Sequence, residues 1–156
     1  MKGYRCDGNC LGDIEDKPIE TNERLWSNVS SWDNGRLPLE GETVEIKSGW
    51  NMILDIAETP IVDMLYINGR LTFKNGMDIN LRAKHIFVRA GELLIGTPEE
   101  PFTHKAIITL HGEKENEHIV YTNAIEAGNK LLANTGVFKA YGLPRLNKMT
   151  RLTKTA

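Results

Sequence analysis

The sequence predicts an all-β fold of short, glycine-punctuated strands. Three observations lead there: alternating apolar and polar residues, glycines at nearly every break, and strand starts that recur every 7–10 residues from position 43 to 92. The strands read as TVEI (43–46), MILDI (52–56), VDMLYI (62–67), RLTF (70–73), DINLRA (78–83), HIFVRA (85–90), ELLIG (92–96) and AIITLHG (106–112). Residues two apart share a face of a strand. Ile79, Leu81 and Ala83 therefore form one apolar face against Asn80 and Arg82, and Ile86, Val88 and Ala90 form another against Phe87 and Arg89.

Each break has a physical reading. Asn68-Gly69 and Asn75-Gly76 are the dipeptides favoured in two-residue hairpin turns, which need positive φ. Such close strand spacing leaves no room for crossover helices, so a parallel α/β sheet is excluded. An antiparallel two-sheet sandwich and a β-solenoid of short rungs both fit. One short helix is expected near 123–133 (NAIEAGNKLLA), weakened by Gly128. Strand character resumes in VFKAYG and in the final TRLTKTA.

The 156 residues make one domain of ordinary size, long enough to bury a core without staples. The net charge of −2 gives no general attraction to nucleic acid or anionic membrane. No run of apolar residues is long enough to cross a bilayer, so membrane insertion by this segment is not expected. The charge is uneven: residues 1–45 hold ten acidic and five basic side chains, whereas Lys139, Arg145, Lys148, Arg151 and Lys154 follow Val137 with no acidic residue among them. That stretch is either a solvated tail or a patch for an anionic partner such as an acidic polysaccharide, with Lys148, Arg151 and Lys154 as contacts. MKGYRCDGNC lacks the apolar core of a signal peptide. The chain is thus either intracellular or an excised piece of a secreted protein; the strand-like ending favours excision. Residues 1–25 read as a polar lead-in, 26–142 as the β domain and 143–156 as the start of a following β region.

Chemistry is sparse. No nucleophile elbow, zinc-protease motif, phosphate loop, dinucleotide fingerprint or calcium loop occurs, and no catalytic residue, cofactor or metal is expected. Cys6 and Cys10 can close a small disulfide loop or stand as two free thiols. His111 and His118 flank an acidic run at a spacing that suits no metal motif, and His85 is expected at the surface. Asp55, Asp63 and Asp78 are the carboxylates that could meet; Asp55 is read as satisfied by backbone N–H groups at a strand end. Trp26, Trp32 and Trp50 either stack on sugar rings or cap the end of a β core, and capping is preferred. Trp50 is kept as a polysaccharide contact. Asn28, in Asn-Val-Ser, is an N-glycosylation acceptor if the chain is secreted.

Taken in order, WSNVSSW, LPLEGETVEI, ILD, LYINGRLTF, INLRAKHIFV, GELLIGTPEEPF and IITLHG resemble the eight-glycine domain, G8, of the fibrocystin and cell-surface hyaluronidase type. The resemblance covers Trp26 to Gly142. Its glycines match Gly41, Gly49, Gly69, Gly91, Gly96, Gly112, Gly136 and Gly142; Ala90 stands where members often carry a second glycine. The resemblance implies an extracellular or cell-surface module of a larger membrane-anchored protein, next to β-helix domains. It implies either a non-catalytic structural or polysaccharide-binding role, or a part in a hyaluronan-degrading enzyme. No catalytic residue carries over.

Overall fold

The computed structural model describes residues 17–113, 119–121 and 125–144. Cys6, Cys10, Lys148, Arg151 and Lys154 lie outside them. The strands are β1 (Arg24–Leu25), β2 (Thr43–Ile46), β3 (Asn51–Leu54), β4 (Val62–Ile67), β5 (Arg70–Phe73), β6 (Ile79–Val88), β7 (Glu92–Ile95), β8 (Ala106–Leu110), β9 (Ile119–Tyr121), β10 (Ile125–Ala127), β11 (Leu131–Asn134) and β12 (Val137–Ala140). A single 3₁₀ turn, Val29–Ser31, lies between β1 and β2. No helix among the described residues is long and apolar enough to cross a membrane.

From β1 to β8 successive strands alternate between two parallel sheets. The first has the order β1-β3-β5-β7-β12, the second β11-β6-β4-β2, with β8 also on β6. The chain is therefore a flattened β-solenoid. The crossover that a parallel pair requires is supplied by a strand of the opposite sheet, not by a helix. Among the described residues, β9 and β10 are the one antiparallel pair.

Stacking in register builds columns of like residues. Val44, Leu65, Ile86 and Leu132 align in one sheet, as do Ile46, Ile67 and Val88. Met52, Leu71 and Leu93 face them from the other, with Leu54, Phe73 and Ile95 beside them. All of these but the terminal Leu132 are buried. Each such aliphatic side chain contributes about 1.5–3 kcal/mol by leaving water, so the inner columns supply most of the driving force.

The structure corrects four sequence expectations. Asn68-Gly69 and Asn75-Gly76 do not close hairpins: each carries the chain from one sheet to the other, and β4 pairs with β2 and β6 rather than β5. Residues 78–90 are not two strands, because β6 runs unbroken from Ile79 to Val88. The shift of its apolar phase, from Leu81 and Ala83 to Ile86 and Val88, falls where its partner changes from β8 to β11. No helix forms over the described part of 123–133. Ile125–Ala127 is β10, Lys130 turns the chain at φ 55°, and Leu131–Asn134 extends the sheet over His85–Val88. Pairing onto an existing sheet edge outweighs a weak helical preference. His85 is buried on the outer face of β6, and burial lowers its pKa below the ordinary histidine value.

One end of the solenoid is closed by tryptophans. Trp26 packs edge-on to Trp32 at 4.9 Å between ring centroids, and Trp32 to Trp50 at 6.2 Å. The Trp32 indole N–H donates to the Trp26 carbonyl at 3.0 Å, which satisfies its one polar atom. Asp55 holds the approach, accepting the Ser27 N–H at 2.9 Å and its hydroxyl at 2.6 Å. Trp26→Ala is expected to lower the unfolding free energy by about 3–5 kcal/mol, measured by denaturant unfolding. An unchanged midpoint would mean that the rings decorate the end without closing it.

Candidate functional site

The candidate site is one corner of the solenoid, where the chain passes from the second sheet to the first in every rung. Three glycines stack there. A Cβ on Gly69 would lie 2.2 Å from the Lys47 carbonyl oxygen, one on Gly91 2.0 Å from the Gly69 oxygen, and one on Gly136 2.3 Å from the Gly91 oxygen. No side chain fits in such a gap. The bonding repeats from rung to rung: Arg70, Glu92 and Val137 donate their N–H groups to the carbonyls of Trp50, Gly69 and Gly91 at 2.8, 2.8 and 2.9 Å.

The bare corner leaves a groove. Residues 17–20 strap across its first turn, the Lys17 N–H donating to Ser48 Oγ at 3.0 Å and the Glu20 N–H to the Gly49 carbonyl at 2.7 Å. Beneath the strap is a cleft of about 790 Å³, walled by Lys17, Glu20, Glu45, Lys47, Trp50 and Arg89. A second cleft of about 430 Å³ shares Lys17, Pro18, Ser48 and Asn68 with it and continues along Gly91 to Gly136. The two together run across the rungs.

Trp50 is 7% exposed, and its ring is occupied. The Arg24 guanidinium lies 4.6 Å from the ring centroid and the Lys47 ammonium 5.9 Å away. The Arg24 guanidinium also donates to both Glu20 carboxylate oxygens, at 2.9 and 3.0 Å. That bond holds the Glu20 carboxyl below its usual pKa and raises that of Arg24. Lys47 pairs with Asp33, which raises its pKa. Asn68 reaches across a rung to donate to Glu45 Oε1 at 2.6 Å, while its own buried Oδ1 has no partner among the described residues. The two cations at the Trp50 ring thus each carry a carboxylate partner, Glu20 on Arg24 and Asp33 on Lys47.

The other candidates disperse. Asp63 bonds Lys84 Nζ at 2.7 Å and Asp78 accepts the Lys105 N–H at 3.0 Å, so with Asp55 on Ser27 each carboxylate has a separate structural partner. Among the described residues no group of three His, Cys, Asp or Glu side chains gathers to hold a metal. Asn28 is exposed and caps the 3₁₀ turn, its Oδ1 accepting from the Ser30 N–H at 3.0 Å and the Ser30 hydroxyl at 2.9 Å. The partners of Trp50 were not legible beforehand: Arg24 and Lys47 are ordinary charged residues in sequence, and only the strap and the corner bring them to the ring.

Comparison with known proteins places this architecture. The family model of the G8 domain matches residues 31–153. Fibrocystin-L of Homo sapiens is 36% identical over 132 residues, covering 84% of this chain. Fibrocystin of Canis lupus familiaris is 36% identical over 121 residues, 76% of the chain. A protein of Dictyostelium discoideum is 32% identical over 162 residues, 99% of the chain and 14% of its own length. The chain spans only 3% of the length of the two fibrocystin relatives. No solved structure matches. With the ordered glycines, the stacked corner and these matches together, the chain belongs to the G8 domain family.

Proposed function

We propose that the chain is a non-catalytic module of a larger secreted or cell-surface protein, one that seats a neighbouring β-helix domain on its open end. The carrying observation is the contrast between the two ends of the core. In β6 and β7, Leu81, Ala83, Ile86 and Leu93 are all 0% exposed. One rung further on, Ile108, Leu110 and Leu132 in the same columns are only partly buried, and Phe138, stacked on Leu93, is 41% exposed. The tryptophan end is sealed while this end presents apolar side chains and strand edges in register, which is what a further parallel rung would cover. The separate structural partners of Asp55, Asp63 and Asp78 support a module without hydrolytic chemistry.

The test is Phe138→Glu in the isolated chain and in a longer fragment that includes the next segment of its parent. The isolated chain is expected to keep its stability within about 0.5 kcal/mol, as for other exposed sites. The longer fragment is expected to lose about 3 kcal/mol or more, since a charge would then be buried. An equal effect in both would overturn the stacking role.

A second reading, polysaccharide binding, is favoured by the groove at the glycine corner, where Trp50, Lys17, Lys47 and Arg89 meet. Hyaluronan or another acidic polysaccharide would lie along it, and Lys148, Arg151 and Lys154 remain proposed contacts outside the described residues. Binding measured against hyaluronan and sulfated and neutral polysaccharides is expected to be weaker at physiological than at low salt, and weaker again when those three are neutralised. Binding that survives salt but fails in Trp50→Ala would assign recognition to stacking. Time-dependent shortening of hyaluronan by the chain would overturn the non-catalytic reading in favour of a part in a hyaluronan-degrading enzyme.

A further inference from the structure

We infer that Asn28 carries an N-linked glycan and that this glycan guards the tryptophan end of the solenoid against edge pairing. The inference rests on the secreted or cell-surface reading and goes beyond it. Asn28-Val29-Ser30 is the one acceptor triplet in the sequence. Both hydrogen bonds from Ser30 go to the carbonyl oxygen of the Asn28 side chain. They engage that oxygen within the turn and leave the amide nitrogen outside these bonds. Three other asparagine amides donate, Asn68 to Glu45, Asn75 to the Pro101 carbonyl and Asn129 to the Glu113 carbonyl, but none of those residues lies in an acceptor triplet. No acceptor engages Asn28 Nδ2 among the described residues, and Val29 beside it is 50% exposed, so a bulky substituent meets no packed surface.

In the transfer step, the amide nitrogen attacks C1 of a lipid-linked oligosaccharide diphosphate. The N–C1 bond forms, the C1–O bond breaks, the lipid diphosphate leaves with the bonding pair, and the amide proton passes to a base of the transferring enzyme. What the glycan would do follows from its place. β1 is the edge strand of the first sheet, bonded to β3 alone, and Leu25 at its end is 38% exposed. The Asn28 N–H bonds the Leu25 carbonyl at 3.1 Å, so the sugar would be attached next to that edge. Open edges invite pairing with other chains, and a bulky hydrophilic group blocks the approach. The solenoid would then accept a neighbour only at its other end.

The chain, secreted from eukaryotic cells, is expected to show the mass of one glycan, removed by peptide N-glycosidase and absent in Asn28→Asp and Ser30→Ala. Asn28→Asp keeps an oxygen that caps the turn and adds a charge in place of the amide, whereas Ser30→Ala leaves Asn28 neutral and unmodified, so agreement of the two separates modification from folding and from charge. Secretion of unmodified chain would overturn the glycan while leaving the secreted reading intact. Retention of wild type and Asn28→Asp alike would overturn both. For the guard, light scattering is expected to show Asn28→Asp self-associating at concentrations where the glycosylated chain is monomeric; monomers in both would overturn it.

Discussion

The structure depends on how closely backbones approach at the glycine corner. Paired strands lie about 4.7–4.9 Å apart, and that spacing must persist through each turn if columns are to remain in register. At this corner the spacing brings a carbonyl oxygen of one rung to where the next rung would carry a Cβ. Glycine is therefore demanded at Gly69, Gly91 and Gly136 by space rather than by conformation, since none of the three has positive φ. Gly96 combines the two demands: φ is 67°, and a Cβ would lie 2.5 Å from both the Phe102 nitrogen and the Tyr141 oxygen.

From that constraint the rest follows in sequence. Corners in register align the inner columns, and the aligned columns exclude water. A stack of identical rungs has two open ends, and this chain treats them differently. Three tryptophans and the Asp55–Ser27 bonds close one end. The inner residues of the last rung are left partly uncovered at the other. The corner itself, stripped of side chains, becomes a groove whose walls come from neighbouring rungs and from the strap at residues 17–20. Stability and the groove thus share a single structural cause.

Much of the fold was legible because strands print their period on the sequence. Val62–Ile67 and Arg70–Phe73 were readable to the residue, whereas the change of apolar phase between Ala83 and Ile86 read as a break between two strands and is a single one. Pairing was not. Asn-Gly signals a turn, but whether the turn returns to the same sheet or crosses to the opposite one depends on what the next strand meets, which is information from distant residues. The stretch around Leu131–Asn134 misled for the same reason: its local preference is helical, and the edge of β6 that captures it lies far away in sequence. The site was less legible still. Trp50 and Asn28 stand out by residue type, whereas Arg24, Glu45 and Lys47 acquire meaning only from the corner that gathers them.

The most direct measurement is the unfolding free energy of Gly91→Ala beside Gly142→Ala. Gly142 has no neighbour within 4 Å of an added Cβ and no positive φ, so its variant isolates the cost of an extra methyl group alone. Close backbone stacking predicts a loss of at least about 1–3 kcal/mol for Gly91→Ala, the cost of overpacking, and a change within about 0.5 kcal/mol for Gly142→Ala, as at an unconstrained surface site. Equal stability of the two variants would contradict the stacked corner as the constraint on which this fold is built.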